Sequence, residues 1–159
     1  MFTLCRAMPV NAVGEAPLTS RQVWQGLVLK AENPMPFIEA MTACTIVDRG
    51  PDWLLRDFTL RGEDMQERVV FEPEHRVTFV RTRSSAMGTI LNEIIDDGKD
   101  GESALSLRFT FLLAVEGLTL GSAEETAFAE RMSRSYFAAV GSTLREIRRR
   151  VAAGTIAAA

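Results

Sequence analysis

The sequence holds a single histidine, His75, and only two cysteines, Cys5 and Cys44, in 159 residues. Neither a structural zinc set nor a Cys/His catalytic pair has a basis, so no metal and no other cofactor is expected. Cys5 and Cys44 fall in strand-like runs and read as small apolar residues kept reduced. An excess of positive charge is also missing. The formal net charge is -3, which argues against a nucleic-acid partner. No apolar run reaches the length of a membrane span, and "MFTLCRAMPV" is too short and interrupted for a secretory leader. The expectation is a cytoplasmic protein without stable membrane insertion. The glycines are scattered through turns, forming neither a phosphate-binding loop nor a dinucleotide fingerprint. Nothing arranges Ser, His and Asp as a nucleophilic triad.

What is present is the composition of a globular protein, 47% hydrophobic and 25% charged, in a length that suits one domain over residues 1–159. Residues 2–10 suit a first strand. In Leu18-Thr19-Ser20-Arg21-Gln22-Val23, Thr19 is an N-cap with Gln22 at the capping-box distance, and Leu18 and Val23 occupy staple positions. The helix so opened runs to about Glu32, with Trp24 flanking its apolar face. Asn33 and Pro34 then stand as N-cap and first residue of a short second helix through about Met41. From Thr42 to Glu116, runs rich in Val, Ile, Phe and Thr alternate with the breaks "RGPD", "RGED", "EPEH", "RSSAMG" and "DDGKDGES", delimiting about six strands in a meander. In the last, Leu105, Leu107, Phe109, Phe111, Leu113 and Val115 share one face. Ser122, with Glu125 three residues on, opens a long helix whose apolar stripe carries Phe128, Met132, Tyr136, Val140, Ile147 and Val151. That stripe needs an apolar partner, and the sheet is the one available. The inferred class is α+β, of order β-α-α-β6-α, with a curved antiparallel sheet gripping the C-terminal helix. "GTIAAA" reads as a frayed end. The run of arginines in "LREIRRRV" suits a solvated face near a helix C-terminus.

The segments "LTSRQVWQGLVLKAENPMPFI", "ACTIVDRG" and "QERVVFEPEHRVTF", in this order of elements, resemble the START-like or SRPBCC superfamily of helix-grip proteins, which includes the plant pathogenesis-related pollen allergens. The likeness is greatest to the small AtaL-like branch. It implies a central cavity between the long helix and the sheet, holding a small hydrophobic or aromatic molecule. It carries no catalytic residues over, because the superfamily spans carriers, receptors, polyketide aromatases and cyclases, and chaperone activators.

The stretch "LLRDFTLRGEDMQERVVF" sharpens that implication. A turn at Arg61-Gly62-Glu63-Asp64, with Leu60 opposite Met65, puts Leu54, Arg56, Phe58 and Leu60 on one face beside Met65, Glu67, Val69 and Phe71. Continuing through "EPEHR" sets Phe79 beside Val69 and Arg81 beside Glu67. An Arg56, Glu67, Arg81 cluster then faces the cavity, where a plain core would not need it. A bulge or a one-residue slip would instead turn all three to solvent. The ligand-binding candidates are Arg56, Phe58, Glu67, Val69, Phe79, Arg81, Phe109, Met132 and Tyr136. The leading expectation is non-covalent binding of a lipid- or polyketide-like metabolite. The alternatives are an enzyme of the same fold using Glu67 as acid or base in cyclisation, dehydration or hydrolysis, and an interaction module with a filled core.

Overall fold

The computed structural model describes residues 1–98 and 104–158. Strand β1 (Phe2–Pro9) leads to helix α1 (Ser20–Glu32). Six strands follow: β2 (Met41–Arg49), β3 (Trp53–Leu60), β4 (Glu63–Glu72), β5 (Arg76–Arg83), β6 (Ala86–Asp96) and β7 (Leu105–Val115). Helix α2 (Ala123–Ala152) ends the ordered elements. The strands form one antiparallel sheet of order β1-β7-β6-β5-β4-β3-β2, so that the meander is consecutive and β1 closes against its last strand. The fold is the α+β helix grip. The part of the "DDGKDGES" break at 99–103 lies outside the described residues.

Local chemistry accounts for the helix starts. Thr19 Oγ1 accepts from the Gln22 amide while the Gln22 side chain accepts from the Thr19 amide, satisfying two otherwise unpaired donors. Ser122 caps α2 through the Glu125 amide. The expected second short helix contracts to one turn, in which the Phe37 and Ile38 amides donate to Pro34 O. Pro36 interrupts the segment and cannot donate a further helical bond, and β2 begins at Met41.

The β3–β4 hairpin is tighter than the sequence suggests. Leu60 pairs with Glu63, leaving Arg61 and Gly62 as a two-residue loop with φ of 50° and 80°. Two successive positive φ values are the mark of a turn whose twist matches the strands. The register therefore differs by two residues from the expected one. A shift of two keeps each side chain on its own face, which is why the inward set is unchanged.

Alternation on β7 places Leu105, Leu107, Phe109, Phe111 and Leu113 in the core, and Val140, Leu144 and Ile147 of α2 pack with them. At Gly26 of α1, an added Cβ would stand 2.3 Å from Ile147 Cγ1, so that glycine lets α1 and α2 touch. As far as Ala157 the tail is held rather than frayed: Ile156 is buried, and Ala157 O accepts from Gln22 Nε2. Cys5 and Cys44 both lie in strands with free thiols, and Cys5 is exposed. Among the described residues no helix is long and apolar enough to cross a membrane.

Candidate functional site

Between α2 and the sheet lies a cavity of about 460 Å³, within the range of small-molecule sites. Met41, Phe58 and Phe79 from the sheet, Phe37 from the turn before β2, and Met132 from α2 supply apolar wall. The half of α2 carrying Met132 and Tyr136 stands over this space, which is why those residues are only half-buried while Val140 and Ile147 farther along are fully packed.

Strands β3, β4 and β5 each aim one charged side chain inward at the same level. Arg56 is directly opposite Glu67, and Glu67 is directly opposite Arg81. Their exposures are 2%, 3% and 8%, so all three are desolvated and each needs a partner. Glu67 Oε1 accepts from Arg56 Nε at 2.9 Å and Nη2 at 2.5 Å, and its Oε2 accepts from Arg81 Nε at 3.1 Å. Arg56 Nη1 donates to Lys30 O at 3.2 Å and Ala31 O at 2.6 Å. Those are carbonyls of the last turn of α1, where a cation also meets the negative end of the helix dipole. Arg56 thus ties α1 to the sheet and spends its donors on the protein. Arg81 Nη1 reaches Ser84 Oγ and Met65 Sδ, both at 3.2 Å, and its Nη2 has no acceptor among the described residues. Arg81 Nη2 is therefore the guanidinium nitrogen of the cluster without a protein acceptor among the described residues.

Two residues that sequence reasoning missed complete the polar part. Lys30 lines the cavity, 3% exposed, and its Nζ donates to Asn92 Oδ1 at a long 3.4 Å. Asn92 Nδ2 in turn donates to the Tyr136 hydroxyl at 3.0 Å, which leaves the Tyr136 proton free to donate. Burial, reinforced by repulsion from Arg56 and opposed by Glu67, pulls the Lys30 ammonium down to about 8. Burial pushes the Tyr136 phenol up to about 12, against the Asn92 hydrogen bond, so it is a donor at neutral pH. A signal for both missed residues exists in the sequence. Lys30 is three positions beyond Leu27 on the apolar side of α1, and Asn92 alternates between Ile90 and Ile94 on β6.

Of the nine candidates, Arg56, Phe58, Glu67, Phe79, Arg81, Met132 and Tyr136 line the cavity. Val69 and Phe109 do not. Both are wholly buried in the core: Val69 on β4, paired with Leu54 and Phe79, and Phe109 behind Tyr136, with ring centroids 5.0 Å apart. Trp24 likewise packs edge-on against Phe71, away from the cavity. Glu67, with three N–H groups on its two oxygens, holds both guanidinium groups in place.

An antiparallel sheet gripping a long C-terminal helix, with an apolar cavity and a buried ion cluster between them, defines a protein of the helix-grip fold. Within that class the chain belongs to the AtaL family, acetylaranotin biosynthesis cluster protein L, whose model matches residues 6–154. Solved structures share the fold at low identity. Zhui aromatase/cyclase from Streptomyces sp. R1128 is 19% identical over 94% of this chain and 95% of that one, with a TM-score of 0.63. The di-domain ARO/CYC StfQ from the steffimycin biosynthetic pathway is 13% identical over 92% of this chain and 50% of its own, TM-score 0.63. Ara h 8.0201 is 13% identical over 92% of this chain and 97% of that one, TM-score 0.53. No curated protein matches the chain in sequence.

Proposed function

We propose that the cavity binds, without covalent attachment, a small aromatic or otherwise apolar metabolite that carries an acidic oxygen such as a carboxylate or phenol. The observation that carries this reading is the imbalance of charge inside an apolar space: Lys30, Arg56 and Arg81 line the cavity against the single buried carboxylate of Glu67. A core would gain more from hydrophobic residues of the same volume. An anionic ligand oxygen offsets the excess cation, with Arg81 Nη2 and the Tyr136 hydroxyl as the donors left for it.

The test is a calorimetric titration with 3-hydroxy-2-naphthoate, beside naphthalene as the uncharged comparison. Saturable binding of the acid is expected, with naphthalene weaker. Tyr136→Phe should weaken the acid about fivefold to tenfold, the ~1 kcal/mol of one hydrogen bond. Failure to saturate, or equal affinity for the acid and the hydrocarbon, would sink the reading.

A further inference from the structure

Lys30 is not accounted for by binding alone. Of the 18 basic residues in the chain, only Lys30 and Lys99 are lysines. An arginine in the cavity stays charged under all conditions, whereas a buried lysine can shed its proton. Lys30 has the surroundings that favour this. It is desolvated, and it stands near the Arg56 guanidinium. Among the described residues no carboxylate pairs with it, and its one side-chain acceptor is the neutral, distant Asn92 Oδ1. Glu67, the remaining charge that acts on it, is already engaged by Arg56 and Arg81. An amine made partly neutral by burial and by a neighbouring cation, facing a cavity, is a nucleophile toward carbonyl carbon.

We propose that Lys30 captures carbonyl compounds reversibly: an aromatic aldehyde or ketone taken up by the cavity forms an imine with Lys30 Nζ. The proposal rests on the cavity being a binding site and adds a covalent step after binding. The nitrogen lone pair forms the C–N bond as the carbonyl π pair moves to oxygen. The two protons of the neutral amine pass, through water, to that oxygen, which departs as one water molecule while the C=N bond forms. No electrons are gained or lost. Arg81 and the Tyr136 hydroxyl suit a second, acidic oxygen on the same molecule, so an aromatic hydroxy-aldehyde matches the site.

The full chain is incubated with 2-hydroxy-1-naphthaldehyde and sodium cyanoborohydride, then weighed intact and peptide-mapped. One adduct per chain is expected on Lys30, heavier by the aldehyde less one oxygen, with a yield that rises between pH 7 and pH 9. Lys30→Met and Lys30→Arg should each reduce that yield at least twentyfold. Titration with 3-hydroxy-2-naphthoate is run in parallel to separate the two ideas. Naphthoate binding with Lys30 unmodified overturns the imine and leaves the binding site standing. No binding and no adduct overturn both. Labelling confined to Lys99 or the Met1 amine, or undiminished in Lys30→Met, overturns the imine as well.

Discussion

Lys30 holds a charge where burial disfavours it, at a cost to the fold. Its ammonium titrates near 8 in the folded chain against 10.5 for the unperturbed group. Between those values the unfolded chain binds a proton that the folded chain does not, so stability rises as pH rises from 8 to 10.5. Below 8 both states are protonated and the penalty is constant, at about 3 kcal/mol for a difference of this size. Lys30→Met keeps the volume and removes the charge. It should raise stability at pH 7 by roughly 2–3 kcal/mol and abolish the rise above pH 8. Urea unfolding at pH 7, 8, 9 and 10 reads both effects. A variant no more stable than the parent at pH 7 would mean that Lys30 is not desolvated. The same residue shows what sequence reading leaves out: a lysine counts as a surface residue by type, and only its place on the apolar side of α1 contradicts that. Asn92 is alike: an asparagine counts as a surface residue by type, and only its alternation with Ile90 and Ile94 marks it as inward.

At the scale of elements, the helix starts were legible because the Thr19 and Ser122 caps are local chemistry, complete within four residues. Strand pairing is not local. The Arg61-Gly62 loop carries a positive φ at an arginine, where the usual two-residue signal is Asn-Gly or Asp-Gly, so the sequence points to the longer turn through Asp64. The shorter loop sets Arg56 opposite Glu67, where Leu60 opposite Met65 would set it opposite Val69. The inward face survived because the error was even, and a one-residue error would have reversed it. The short second helix stops at one turn: Asn33 and Pro34 are good starting residues, whereas the continuation depends on Pro36 and on the approach of β2. The meeting of α1 with α2 could not be foreseen at all, since the reason for Gly26 lies 121 positions away at Ile147. Gly26→Ala forces Ile147 or one helix to shift and should cost about 1–3 kcal/mol despite the higher helix propensity of alanine. Thermal unfolding measures it. An unchanged or raised midpoint would show that the crossing has slack.

For the whole molecule, the decisive feature is that α2 does two different jobs along its length. Toward its C-terminus, Val140, Leu144 and Ile147 close the core. Earlier, Met132 and Tyr136 roof a cavity instead of filling it, so the protein forgoes packing that a longer side chain would supply. Apolar space left open lowers stability in proportion to its volume, and a fold selected for stability alone would close it. Ala139 lines the cavity from α2 and is half-buried, so Ala139→Phe would put a ring into the open space without touching the ion cluster's hydrogen bonds. If the space is a binding site, that ring should compete with ligand directly. Binding of 3-hydroxy-2-naphthoate should fall by at least a hundredfold, while the unfolding midpoint stays level or rises by the ~1–2 kcal/mol of added apolar burial. A ring that lowers stability but leaves binding intact would place the ligand elsewhere. Loss of binding at full stability would tie the function to the volume that α2 leaves unfilled.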